Sequence, residues 1–394
     1  MQPVDFWCSR SHYVDHTAPI WHALPQGYRG RFQVADTGLV RHAASLGIKA
    51  ELQTRNPPFG PIVFCSRSEL RRIPGRLRPM IFAEHGCGQT YEGHGHLPPM
   101  PDIVLVVTNP SAGAVMKADH PHARVVATGP VKLDSLLGLP RKTPSDPPCV
   151  AVSHHWDQLN YPETRSAWPW DKAAWEAVVA SGRWHIIGHA HPADGRDMAR
   201  WWASLGVEVV EDFAQVIERA DMFACDNSST LYEFAALDRP VVVLSPPYYR
   251  RDVDHGLRFW SHVPGAQVSR PEDLPAVLEE AWADSDARAT LRREAVEACY
   301  GRLDGQAAQR AARAIVEAAD NPAHEYPPMP AIGAWPDAES ASRVVRVRVT
   351  NTTGSVIPRA GRIFTPGTPV VCSLSKTGLR EVEARSGLRV EVLG

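Results

Sequence analysis

Asp226-Asn227-Ser228-Ser229-Thr230-Leu231-Tyr232-Glu233-Phe234-Ala235-Ala236-Leu237-Asp238-Arg239-Pro240-Val241-Val242-Val243-Leu244 reads as a strand end, a hydroxyl-rich loop, a helix and a second strand. The apolar run from 241 to 244 follows a proline and suits a buried strand. Strand, helix and strand in close succession are the unit of an open α/β sheet with parallel strands.

Working outward, the same pattern recurs on both sides. Upstream lie the strand-like runs Cys149-Val150-Ala151-Val152, Trp184-His185-Ile186-Ile187 and Val207-Glu208-Val209-Val210, with a tryptophan-rich helical segment among them. An earlier series comprises Pro61-Ile62-Val63-Phe64-Cys65, Pro79-Met80-Ile81-Phe82-Ala83, Ile103-Val104-Leu105-Val106-Val107 and Arg124-Val125-Val126-Ala127. Between the two series, residues 140–148 hold four prolines, which break both helix and sheet periodicity and mark a linker. The expected fold class is therefore α/β, with two Rossmann-like, doubly wound halves: residues 1–139 and residues 149–320.

Residues 286–319 are dense in Ala, Arg, Glu and Leu, the composition of a long helix or helix pair that packs back across both halves. Gly301 and Gly305 mark its break. Residues 321–342 carry five prolines and read as a tether. In residues 343–394, Val344, Val345, Val347 and Val349 interleave with Arg346 and Arg348, and glycines punctuate the short runs, so a small β-rich domain is expected.

Composition excludes several classes. With 44% hydrophobic and 22% charged residues the chain is neither disordered nor fibrous. Lys and Arg number 42 against 44 Asp and Glu, so the net charge of -2 provides no global field for nucleic acid or anionic lipid. No apolar run reaches the ~18 residues of a membrane span, and the N-terminus lacks a signal-peptide pattern, which predicts a cytoplasmic protein. The seven cysteines form no CxxC pair and read as reduced thiols.

The chemistry-bearing residues fall at the ends of the strand-like runs. Ser228, Ser229 and Thr230 open a helix, where free backbone N–H groups and the helix dipole suit phosphate. Glu233 lies one turn deeper and could accept hydrogen bonds from ribose hydroxyls; N-capping without a ligand is the alternative. Ile186-Ile187-Gly188-His189-Ala190-His191-Pro192 ends a strand in two histidines, at the sheet end where α/β proteins bind ligands. His85, in Glu84-His85-Gly86-Cys87-Gly88, has the pKa range of a general base, beside glycines that allow close substrate approach. His16 follows the first apolar run, on the expected cleft rim, as an acceptor contact or a cap neighbour. His94 and His96 near His85 match no metal spacing, so no metal or other cofactor is expected. Arg67, Arg71, Arg72, Arg76 and Arg78 could meet a polyanionic acceptor or simply face solvent.

In this order the residues resemble the CDP-glycerol glycerophosphotransferase family of teichoic acid polymerases and primases. The stations are His85-Gly86, Gly129-Pro130-Val131-Lys132-Leu133-Asp134, His191-Pro192, Asp226-Asn227-Ser228-Ser229 and Asp304-Gly305 with Arg310. The resemblance implies the two-domain GT-B fold, with residues 1–139 binding the acceptor and 149–320 the donor. It also implies a transferase moving a glycerol-phosphate or glycosyl group from CDP-glycerol or a nucleotide sugar to a polyol, glycan or other hydroxyl. By carry-over, His85 would activate the acceptor and His191 would stabilise the leaving group. Gly129, Asp226, Ser228, Ser229, Thr230 and Glu233 would bind donor, and His16 and Gly86 would face acceptor. The sequence departs from the family around His85, where Gln-Thr-Trp-His-Gly is replaced, and in lacking basic amphipathic helices.

Two alternatives remain open. Residues 124–245 also resemble the non-hydrolysing UDP-N-acetylglucosamine 2-epimerases, with Ser228-Ser229 where Gly-Gly would stand. A non-enzymatic nucleotide-binding or structural protein on a GT-B scaffold is the third reading. Homo-oligomer contacts are expected, if anywhere, through residues 343–394, which are few for an independent core.

Overall fold

The computed structural model describes residues 2–53, 60–66, 69, 79–87, 101–108, 123–137, 142–155, 166–189, 196–247, 262–301, 303–321, 345–353, 357–359, 362–364, 366–367, 369–374 and 388–393. The first sheet contains β1 (Val4–Cys8), β2 (Arg29–Val34), β3 (Ala50–Leu52), β4 (Ile62–Phe64), β5 (Met80–Ala83), β6 (Ile103–Val106) and β7 (Arg124–Ala127). Their order is β3-β2-β1-β4-β5-β6-β7 and every pairing is parallel. β1, β4, β5 and β6 are buried along their whole length, which explains continuous apolar runs rather than alternation. Helix α1 (Ser11–Ala23) follows β1, and α2 (Thr37–Ser45) follows β2 with Asp36 accepting the Leu39 amide at 3.0 Å as its N-cap. Phe6, Trp21 and Phe32 pack ring on ring in this core, with centroids 5.2 to 5.6 Å apart.

The second sheet repeats the scheme. It contains β8 (Cys149–Ser153), β9 (His185–His189), β10 (Glu208–Val210), β11 (Met222–Cys225), β12 (Val241–Leu244) and β13 (Ala266–Val268), in the parallel order β10-β9-β8-β11-β12-β13. Helices α3 (Lys172–Ser181), α4 (Arg196–Ser204), α5 (Phe213–Arg219), α6 (Thr230–Ala235) and α7 (Leu274–Ala283) belong to this half. One face of the sheet is walled by Trp175, Trp184, Trp201 and Trp202. Gly188 admits that wall: a Cβ there would lie 2.8 Å from Trp202. The two α/β halves expected from the sequence are both present.

Helices α8 (Asp286–Tyr300) and α9 (Ala307–Asp320) are the expected pair, broken between Gly301 and Gly305, whose φ values of 68° and 67° favour glycine. α9 returns to the first half, where Ala308, Ala311, Ala312 and Ile315 join the core around α1. The junction is tightly bonded. Asp134 accepts the Ala307 and Ala308 amides at 3.1 and 2.7 Å, while Arg310 donates to the Thr128 carbonyl at 2.7 Å and pairs with Asp304. Two of the five family-like stations thus lock together as one clasp between the halves.

The described part of the linker, 142–148, is tied to the second half by Asp221, which meets Lys142 and the amides of Ser145 and Cys149. At the C-terminus, β14 (Val345–Asn351), β15 (Ile357–Arg359), β16 (Arg362–Phe364), β17 (Val370–Leu374) and β18 (Leu388–Val392) form the expected β-rich region. β14 lies antiparallel between β17 and β18, and β15 pairs with β16. The Pro-rich residues 322–342 lie outside the described residues. No helix among the described residues is long and apolar enough to cross a membrane.

Candidate active site

In each sheet the strand order reverses once, between β1 and β4 in the first and between β8 and β11 in the second. Open parallel sheets bind ligands at the carboxyl ends of the strands beside such a reversal. In the first half those ends carry α1 after β1, Cys65 after β4 and His85 after β5.

His12, Tyr13 and His16 of α1 gather around His85. Ring centroids lie 4.9 Å apart for Tyr13 and His85, 5.8 Å for His12 and His85, and 6.2 Å for His16 and His85. His85 Nδ1 is 2.8 Å from the Cys65 carbonyl. A carbonyl only accepts, so Nδ1 carries the proton and Nε2 is left as the basic nitrogen. Burial lowers the His85 pKa, the Cys65 bond opposes this, and the nearby His155 and Lys132 charges add to the lowering. Burial, followed by the neighbouring His85, Arg10 and Lys132, pushes His12 down to about 3, and burial, followed by Lys132 and the two neighbouring histidines, pushes His16 well below the ordinary histidine value. The three rings are therefore neutral near pH 7.

The second half holds its polar groups differently. Asp226, fully buried, accepts the His155 amide at 2.7 Å and the Ala167 amide at 2.9 Å, so its carboxylate pins two backbone segments. His154 is buried against Asp171 at 2.9 Å, and Trp175 donates to the same carboxylate oxygen at 2.8 Å. Burial works against the charged form of His154, but Asp171 outweighs it and raises the pKa. At the end of β9, His189 Nδ1 is 2.9 Å from Ser153 Oγ; burial and then the Lys132 charge lower its pKa to about 4.

The loop after β11 places Asn227 and Ser228 in buried positions and Ser229 and Thr230 in partly buried ones. Capping is only weakly made there: Ser229, the N-cap residue, makes no side-chain cap bond, and Thr230 N lies 3.3 Å from Ser228 Oγ. α6 spans only six residues, so its dipole is a weaker anion lure than the sequence suggests.

The halves meet at Glu233. Its Oε2 is 2.8 Å from Lys132 Nζ and its Oε1 is 3.9 Å from His16 Nε2, so two groups of the first half converge on this buried carboxylate of the second. Lys132 Nζ also lies 4.8 Å above the Phe213 ring, and Phe213 packs against His189 at 5.7 Å. A polar string therefore crosses the cleft from His85 through His16, Glu233 and Lys132 towards His189.

Of the residues singled out from sequence, His85, His16 and Glu233 come together along this string. His16 is a buried mid-helix residue whose ring faces Glu233, not a neighbour of the helix cap. Gly86 follows His85 in the same loop, partly buried. Asp226, Ser228, Ser229 and Thr230 form the adjoining loop. Gly129 lies at the clasp, with φ +86° and Arg310 beside it. His191 lies outside the described residues, as do His94, His96 and the arginines from 67 to 78. Sequence reading passed over Lys132 and His12 as site residues. The i,i+4 spacing of His12 and His16 on one helix could have signalled the latter. No group of three or more His, Cys, Asp or Glu suited to a metal ion exists among the described residues.

Residues 166–317 match the family model of the CDP-glycerol:poly(glycerophosphate) glycerophosphotransferases. Among solved structures, the chain is similar to the wall teichoic acid polymerase TagF at 14% identity and TM-score 0.55, covering 82% of this chain and 90% of that one. It is also similar to S. aureus MnaA in a co-structure with UDP, at 13% identity and TM-score 0.54 over 80% of this chain and 96% of that one. A UDP-N-acetylglucosamine 2-epimerase aligns at 12% identity and TM-score 0.51 over 84% of this chain and 99% of that one. At such identities the structural likeness is one of fold, and the fold is GT-B. No curated protein matches significantly. The family match bears out the resemblance drawn from the sequence and supports a GT-B transferase, with the epimerase the weaker alternative.

Proposed function

We propose that this GT-B chain, whose residues 166–317 match the glycerophosphotransferases, transfers a glycerol-phosphate group from a CDP-glycerol-type donor to an acceptor hydroxyl. The observation that carries the reading is the convergence of His85, from the first half, on the hydroxyl and carboxylate loop of the second, through His16 and Glu233. A glycosyl group from a nucleotide sugar would use the same cleft.

In this reading the donor nucleotide lies on the second half. Glu233 accepts hydrogen bonds from the ribose hydroxyls, while Ser228, Ser229 and Thr230, little used for capping, donate to phosphate oxygens. The acceptor hydroxyl approaches His85 Nε2, which takes its proton as the oxygen attacks the donor's β-phosphorus. The bond from that phosphorus to the bridging oxygen breaks, and CMP departs with the electron pair. A neutral His85 suits the task, because a base that is already protonated cannot act. His191 remains a proposed helper of the leaving group.

The test is an assay of the full chain with CDP-glycerol, UDP-, GDP- and CDP-sugars, read as release of nucleotide in the presence of polyol or glycan acceptors. Acceptor-dependent release of CMP supports the reading. Conversion of UDP-N-acetylglucosamine with no acceptor would establish the epimerase instead. Absence of nucleotide binding in calorimetry would remove both.

A further inference from the structure

Lys132 occupies an unusual place. It sits on a 3₁₀ turn, Val131–Leu133, whose Val131 side chain is buried in the core of the first half and whose Leu133 side chain is buried in the core of the second. The turn is fixed on both sides by the clasp, through the Thr128 carbonyl on Arg310 and the Asp134 carboxylate on the first amides of α9. Both cores and the returning helix therefore aim one lysine into the cleft.

There its ammonium is 2.8 Å from Glu233 and 4.8 Å from the Phe213 ring centroid. Its charge reaches His12, His16, His85 and His189, and lowers the pKa of all four. The histidines facing the cleft thus give no fixed positive charge at neutral pH. A nucleoside diphosphate brings at least two negative charges into this space. Among the described residues Lys132 is a cation placed to meet them, and Glu233 holds it at 2.8 Å.

Resting on the transferase reading above, we propose that Lys132 is a donor-binding residue that exchanges partners: Glu233 holds it before the nucleotide binds, and the nucleoside diphosphate takes it when Glu233 turns to the ribose hydroxyls. In both states the ammonium faces an anion and the carboxylate keeps hydrogen-bond donors, Lys132 before the nucleotide binds and the ribose hydroxyls after, so neither group is left without a polar partner. It also makes the first half respond to the nucleotide bound on the second, since Lys132 and His16 leave Glu233 together.

Calorimetry on the full chain with CDP, cytidine and pyrophosphate tests this. Lys132→Met keeps the length of the side chain and removes the charge, so CDP affinity should fall about 10- to 100-fold, as for loss of a charge-assisted hydrogen bond, while cytidine affinity holds or rises. Lys132→Arg should recover most of the CDP affinity. Glu233→Gln releases Lys132 from its competitor, so pyrophosphate should bind several-fold tighter than to the unaltered protein. That variant also decides the matter if Lys132→Met fails to fold. Equal losses for CDP and cytidine in Lys132→Met, or unchanged pyrophosphate affinity in Glu233→Gln, would make the pair a purely structural bridge and overturn the proposal. If the unaltered protein binds CDP and Lys132→Met binds it equally, only this inference falls. If the unaltered protein binds neither CDP nor UDP, the transferase reading falls with it.

Discussion

The two halves share a strand order and both pin backbone amides with buried carboxylates, Glu69 and Glu84 in the first and Asp226 in the second, but they hold the histidines at their strand ends differently. In the second half, Asp226 is bonded to two backbone amides, His154 to Asp171, and His189 to Ser153. In the first half, His85 is bonded only to a backbone carbonyl, that of Cys65, while His16 faces Glu233 at 3.9 Å and its Nδ1 is buried with no hydrogen-bond partner. Bonded groups define a rigid surface suited to binding. A neutral imidazole whose Nδ1–H is spent on a carbonyl, as in His85, keeps the Nε2 lone pair for proton transfer.

The largest effect that can break this contrast is on turnover. His85→Ala should lower the rate by about 10²- to 10⁴-fold, the usual cost of removing a general base, and leave nucleotide affinity unchanged. Single-turnover rates and calorimetry on the same preparation separate the two quantities. A His85→Ala protein that transfers at the normal rate would show that the histidine cluster is only packing.

Asp226→Asn tests the other side of the contrast. An amide keeps one acceptor oxygen but turns an N–H₂ group towards one of the two backbone amides, so a buried donor loses its partner. The expected cost is about 3 kcal/mol of stability by denaturant unfolding. Sequence reading placed Asp226 among the donor-binding residues. If the variant loses nucleotide affinity at normal stability, Asp226 touches the ligand directly and the second half is not merely a clamped surface.

The strands and the broken C-terminal helix pair were legible because each depends on short-range pattern: buried parallel strands read as apolar runs, and Gly301 and Gly305 interrupt a helical composition. The cleft was legible only residue by residue. His85 and Glu233 stood out through their local context, but Lys132 meets Glu233 across 101 positions of sequence, and no local pattern announces such a pair. Likewise, Asp304 and Arg310 read as a family signature, whereas the structure shows a clasp: Arg310 pairs with Asp304 and donates to the Thr128 carbonyl, beside Asp134 on the Ala307 and Ala308 amides. The return of α9 to the first core, a tertiary event, decides that meaning.

Acid sharpens the contrast next. His12 at about 3 and His189 at about 4, with His16 and His85 also lowered, stay neutral in the folded protein while the unfolded chain takes up protons near pH 6.5. Their contribution is full above pH 6.5 and declines as the pH falls towards the folded values. His154, with its raised pKa, works in the opposite sense: its contribution is present below the unfolded value and fades as pH rises. Between pH 6.5 and 5 His12 and His189 each cost about 2 kcal/mol. His189→Gln should reduce the dependence of unfolding free energy on pH in that window by close to one proton. An unaltered slope would mean that His189 titrates normally.

The smallest effect concerns the junction that makes the two halves one body. Gly129 adopts φ +86°, and a Cβ there would lie 3.2 Å from Arg310 Nη2 and 3.5 Å from the Ala307 side chain. The end of the arginine can move aside, so the remaining cost of Gly129→Ala is the left-handed backbone, about 1 kcal/mol. That strain falls between Thr128, whose carbonyl holds Arg310, and the turn that aims Lys132. A rigid clasp should pass it on as a small drop in the midpoint of one cooperative melt, with nucleotide affinity changed by no more than a few-fold. If stability is unchanged, the junction adapts freely, and the halves are joined through Lys132 and Glu233 more than through the clasp. If affinity falls far more than stability, Gly129 approaches the donor itself, the role first read from the sequence, and the boundary between binding surface and hinge must move to include it.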